Sequence, residues 1–229
     1  MKLFLYSLCV VTCLSLLLCV KPRVTDARTV SASTGGAASN QKQCRPGKTS
    51  TEAAGWRWER ATVVHVYYLK GSFSQAERDA LGRAVRSWDS ALSGTEARVR
   101  FVIGGERESL AEENASLTVL RGIPRGKDRV GQIRLYTLSN GVVYAAVTVS
   151  PAVTDPAALT SLMAHELGHS LGLADCYGCE RGTTAMAAFR SDNKGNDVYE
   201  PSECDKYVVA AGYDSAEGQQ ARASSVERR

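Results

Sequence analysis

Residues 165 to 175 read HELGHSLGLAD. Histidines four positions apart on a helix stand one above the other on the same face. Two imidazoles so placed can reach a single cation at about 2.0–2.1 Å each. Glu166 lies beside that face, where its carboxylate can take a proton from a metal-activated water without binding the metal. Gly172 tolerates the left-handed conformation that ends a helix, so the chain can turn back there and bring Asp175 up as a third ligand. This set predicts metal-assisted hydrolysis, with Zn2+ held by His165, His169 and Asp175 and with Glu166 as general base. Two histidines and a carboxylate also suit non-haem iron, but the adjacent glutamate favours zinc. A third imidazole, His65, sits mid-strand in VVHVYY and is expected to be a hydrogen-bonded core or sheet-face residue, not a ligand.

The site needs a helix, and DPAALTSLMAHELGHSLGL supplies one, with Asp155 as N-cap and Pro156 at the first helical position. Leu159, Met163, Leu167 and Leu171 form an i, i+4 stripe for the core, apart from the histidine face. Upstream, SQAERDALGRAVRSWDSAL begins with Ser74 and Glu77 at capping-box spacing. There Leu81, Ala84, Val85, Trp88 and Leu92 share one face. Strands are predicted at 61–69, 97–103, 116–122, 131–138 and 141–150, with an SNG turn between the last two, and a short helix near 202–211. The order is strand, helix, four strands, helix. That predicts an α+β domain with a mixed five-stranded sheet and two main helices.

Around this domain, composition sets the limits. The chain has 229 residues, 44% hydrophobic and 23% charged, as in a soluble globular protein. Lys2, the apolar run Leu3 to Val20, and small residues at VTDA and TVSA make 1–32 a signal peptide pattern. Export is expected, to the outside, the periplasm or the cell envelope, with no stable membrane insertion after cleavage. The leader carries four cations against Asp26, so the net charge of +4 falls to +1 without it. Nucleic-acid binding loses its electrostatic basis. Residues 33–55 read as a linker or short pro-segment, 56–213 as the catalytic domain and 214–229 as a disordered polar tail. SDNKGND (191–197) fits no calcium-loop spacing and reads as a solvated loop. Beyond the leader remain Cys44, Cys176, Cys179 and Cys204, an even set that suggests disulfides in three alternative pairings. A structural zinc site or redox pair at CYGC is the weaker alternative in an exported chain.

HELGHSLGLAD resembles the zinc-binding motif of the metzincin metalloproteases, HExxHxxGxx(H/D). It matches the matrixin-like branch along HELGHSLGLA and departs at Asp175, where snapalysin-type secreted bacterial proteases also have aspartate. The resemblance implies a metzincin-like (zincin) fold with a small C-terminal subdomain over 176–212, and a zinc metalloendopeptidase acting on protein or peptide substrates as a monomer. It places Met186, in GTTAMA, in a turn beneath the metal. GQIRLYTL becomes the edge strand along which a peptide adds as an extra strand. Two residues after the methionine, where some metzincins have a tyrosine, this chain has Ala188; neither Tyr177 nor Tyr199 can be given that role from sequence. Matrixin pro-segments place a cysteine on the zinc, but QKQCRPGK does not match their pattern, and a disulfide is expected of Cys44. Against a three-histidine site, the negative charge of Asp175 is expected to weaken the metal as a Lewis acid. The competing functions are a secreted metal-containing binding module without turnover and a non-peptidase metal hydrolase.

Overall fold

The computed structural model describes residues 44–126, 129–139, 141–188 and 199–226. The expected signal peptide (1–32), residues 33–43 and the SDNKGND stretch expected to be a solvated loop lie outside the described residues.

β-Branched and aromatic runs form β1 (Val63–Leu69), β2 (Arg100–Arg107), β3 (Ser116–Arg121), β4 (Gly131–Leu138) and β5 (Gly141–Val149). They make one sheet in the order β2-β1-β3-β5-β4. β2, β1, β3 and β5 run parallel to one another, and β4 is an antiparallel edge strand paired with β5. Helices α1 (Gln75–Leu92), α2 (Pro156–Ser170) and α3 (Glu203–Val226) complete the expected α+β fold. Among the described residues no helix is long and apolar enough to cross a membrane.

Local chemistry sets the helix starts. Ser74 and Glu77 form the capping box of α1, and Asp155 accepts the Ala158 N–H at the head of α2. The expected faces are buried: Leu81, Ala84, Val85, Trp88 and Leu92 on α1, and Leu159, Met163, Leu167 and Leu171 on α2. The two helices are also joined by polar bonds, Trp88 Nε1 donating to the Ala164 carbonyl at 2.7 Å and Thr160 Oγ1 to that of Ala80 at 3.0 Å.

Three boundaries differ from expectation. β2 begins later and runs further than 97–103, because Arg98 takes a positive φ of 51° and the chain continues through Gly104 and Gly105. A register shift opposite Val66/Tyr67 absorbs these glycines, and the Tyr67 ring lies against Gly104. α3 does not stop near 211 but continues to Val226, through much of the expected disordered tail; Ala, Gln and Glu there are good helix formers.

The third difference concerns 44–55, whose composition reads as a linker. Its described part is a strap across the site end of α2. Ala54 N–H donates to the Gly172 carbonyl at 2.6 Å, Ala174 N–H to that of Glu52 at 2.9 Å, and the Thr51 hydroxyl to that of Ala174. Ser50 and Thr51 are buried. Cys44 is disulfide-bonded to Cys204 at the start of α3, and Cys176 to Cys179. Small polar residues without a period therefore act as an irregular edge whose partners are backbone groups, which periodicity cannot show.

Candidate metal centre

α2 presents His165 and His169 on one face, with ring centroids 4.7 Å apart. The helix ends where Gly172, at φ 88°, places Leu173 N–H on the Gly168 carbonyl (3.1 Å) and Gly172 N–H on that of His169 (3.0 Å). Those two bonds are a Schellman cap. A Cβ at Gly172 would lie 2.4 Å from the Trp56 carbonyl oxygen. Backbone conformation and close approach both require glycine there. The strap then holds 172–174, and Asp175 follows directly beneath the histidines.

Asp175 Oδ1 lies 3.0 Å from His165 Nε2 and 3.4 Å from His169 Nε2. Each imidazole turns its other nitrogen to a backbone carbonyl: His165 Nδ1–H donates to Ala185 at 3.0 Å, His169 Nδ1–H to Leu173 at 2.8 Å. A carbonyl can only accept, so these bonds fix the proton on Nδ1 and leave both Nε2 lone pairs facing a carboxylate. Three such acceptors converging require a cation among them, a proton or a metal. Ligand atoms on one tetrahedral zinc stand about 3.3 Å apart, from bond lengths of about 2.0–2.1 Å. In this site the three candidate ligand atoms lie within 4.8 Å of one another. The residues fit a metal ion.

Electrostatics follow the same geometry. In the metal-free cluster, protons shared from the histidine Nε2 positions hold the Asp175 carboxyl well below the usual carboxylate range. Burial opposes charge on His169, but Asp175 and Glu166 outweigh it and raise its pKa. Burial pushes Glu166 up, against the pull of the two histidines. Its carboxylate accepts the Ile133 N–H of edge strand β4. It also lies so near Gly131 that a Cβ there would be 2.7 Å from Oε1.

The face expected to be separate from the core is itself buried, with His165 only 5% and Glu166 only 4% exposed. The loop that carries Met186 covers it from below. Met186 is fully buried, and its Sδ would be 2.2 Å from a Cβ at Gly168, so the sulfur rests on the helix turn between the two histidines. His65 is exposed on β1, stacked near Tyr67, and takes no part in the cluster.

Two further residues are given no role by the sequence. Asp205 is fully buried and accepts bonds from the Thr184 hydroxyl, Ala185 N–H (3.1 Å) and Ser202 N–H (2.9 Å). It thus holds the peptide whose carbonyl orients His165. The signal was present in SECD (202–205), a capping-box spacing at the head of α3. Tyr177 Oη–H donates to Asp175 Oδ2 at 3.0 Å, which leaves Oδ1 for the histidine side. No spacing rule would have found that contact.

The cluster opens into a cleft of roughly 730 Å³ between α2 and edge strand β4, bordered by Trp56, Tyr177 and Ala188.

No protein-family model matches this chain, and no curated protein does. Among solved structures it is similar to metalloproteinase-II from Bacteroides fragilis, at 14% identity and a TM-score of 0.41, over 76% of this chain and 59% of that one. It is similar to myroilysin at 16% identity and a TM-score of 0.32, over 54% of each chain. A chaperone–substrate complex matches at 13% identity and a TM-score of 0.37, over 66% of this chain and 38% of that one. The chain therefore spans about three fifths of metalloproteinase-II and about half of myroilysin.

Proposed function

We propose that this chain is an exported zinc-dependent endopeptidase of metzincin type. The observation that carries the reading is the convergence of His165 Nε2, His169 Nε2 and Asp175 Oδ1 on one point beside the Glu166 carboxylate, at an unpaired sheet edge. Zinc held by those three atoms would supply a Lewis acid for a peptide carbonyl and a water of lowered pKa.

The chain's own residues supply the rest. Among the described residues β4 pairs with β5 on one side only, so its outer edge can take an extended peptide as a further strand. Glu166, aimed at Gly131 and Ile133 on that edge, takes a proton from water and delivers it to the leaving amine nitrogen. Its raised pKa suits both halves of that transfer. Ala185 and Leu173 carbonyls keep the histidines in the metal-binding tautomer. Disulfides at Cys44–Cys204 and Cys176–Cys179 support export, as does the leader pattern.

The test is metal content and cleavage together. Protein secreted from an oxidising host should hold about one zinc per chain and cut a denatured protein, while Glu166→Ala holds zinc and does not cut. Zinc without cleavage in the wild type would leave a metal-containing binding module. Iron in place of zinc would move the chain to another class, since the same donor set suits both metals.

A further inference from the structure

Four charged residues are described along the cleft: Arg129, Arg134, Glu166 and Asp175. The two carboxylates belong to the metal cluster, and a bound divalent cation balances both, leaving the arginines uncompensated. Arg60, Arg78, Arg100, Arg107 and Arg121 each meet a carboxylate. Among the described residues neither Arg129 nor Arg134 does. Both side chains are exposed.

Their positions bracket the reacting centre. Gly131 lies against Glu166, and Ile133 N–H binds its carboxylate, so the scissile bond of a peptide on β4 lies beside 131–133. Arg134 is the next residue along this edge, three positions from Gly131, or about 10 Å at the rise of a strand. Arg129 stands two positions before Gly131, close enough to Tyr177 to act on its hydroxyl. An added strand has its side chains opposite those of β4, where opposite charges attract and like charges repel.

We propose that the cleft selects peptides with an acidic side chain within about three residues of the scissile bond, Arg134 being the main specificity residue and Arg129 the second. This rests on the peptidase reading, and the experiment separates the two. Matched fluorescent peptide pools carrying aspartate, asparagine or lysine near the centre are assayed for cleavage by the wild type. Their binding to zinc-loaded Glu166→Ala protein is measured by anisotropy. Cleavage and binding should both favour aspartate over lysine by about three- to tenfold, as expected for exposed charge pairs. The preference should shrink in high salt, shrink further in Arg134→Ala as only Arg129 remains, and level out or invert in Arg134→Glu.

Equal use of all pools, or a preference unchanged in both Arg134 variants, overturns the inference while cleavage itself still supports the peptidase. Arg134-dependent binding of the acidic pool without any cleavage upholds the charge preference and overturns the peptidase reading. No cleavage and no preferential binding overturns both.

Discussion

The sulfur of Met186 occupies the space in which a side chain at Gly168 would begin. Gly168 is the residue before the second histidine, and its missing Cβ lets the Met186 loop close against the helix. That loop includes Ala185, whose carbonyl orients His165. A single hydrogen atom in place of a methyl group thus connects helix packing to the tautomer of a candidate ligand.

Gly168→Ala should therefore destabilise the protein although alanine favours a helix by about 1 kcal/mol. Overpacking costs about 1–3 kcal/mol, and the Trp88 ring, 3.3 Å from the new Cβ, closes the other route of escape. Pairing it with Met186→Ala should cost less than the sum of the single changes, because the double variant removes the clash. Urea titration of the four proteins checks this, and strict additivity would show that the two residues do not press on one another.

Asp205 bears on the same loop from the other side. Asp205→Ala leaves the Thr184 hydroxyl and the Ala185 and Ser202 N–H groups without their acceptor, each costing about 1–3 kcal/mol if it stays buried. Asp205→Asn can keep both backbone bonds through its single carbonyl oxygen and should lose less. If the loop orients His165, zinc affinity falls in the same order, wild type above asparagine above alanine. Equal zinc affinity in all three would confine Asp205 to structure.

Much of this was legible in advance, and what was not shares a cause. The strands, both main helices, their caps and the buried face of α1 follow from periodicity and from Ser74, Glu77, Asp155 and Pro156. Gly172 was readable because a helix must end before Asp175 can turn back. The strap was not, since Thr51 to Ala54 are held through backbone groups and a hydroxyl that favour no period. Gly168 and Tyr177 act through contacts with residues 18 and 2 positions away whose meeting depends on the loop path. Cysteine pairing was likewise a matter of path.

Cys44→Ser should show what the strap contributes. The Cys44–Cys204 bridge closes a span of 160 residues, and its loss is expected to cost about 2–5 kcal/mol. Because the strap clamps residues 172–174, zinc should also be released faster under chelation than from the wild type. A variant that is less stable yet holds zinc unchanged would separate the strap from the metal ligand beside it.

The acid–base balance of the cluster gives a prediction opposite in sign for the metal-free and loaded protein. His169 and Glu166 have folded pKa values above their unfolded ones, about 6.5 and 4.3. Stability from such groups is full below the unfolded value and is lost as pH rises through the folded value. Asp175 is depressed, so its contribution, lost only as pH falls through its folded value, is present throughout the range from pH 5 to 8. Metal-free protein should thus show a Tm that falls from pH 5 to 8. Zinc competes with the same protons, so the increase in Tm on loading should grow over that range. A metal-free Tm that rises instead would mean that the three groups do not converge in solution.

Tyr177→Phe isolates the outermost contact of the centre. The phenol donates to Asp175 Oδ2 and is largely exposed, so its removal should hardly alter the fold. What it removes is the group that fixes the carboxylate rotamer and directs Oδ1 toward His165 and His169. Loss of such an outer partner is expected to weaken zinc binding by about tenfold. The contrast with the other variants is diagnostic: Tm of the metal-free protein unchanged, zinc affinity lower, and the pH at which zinc is half released shifted upward as protons compete better for the loosened site. If competition with a chelator gives the same zinc affinity for phenylalanine as for tyrosine, Asp175 is held by the strap and the 172–174 backbone alone.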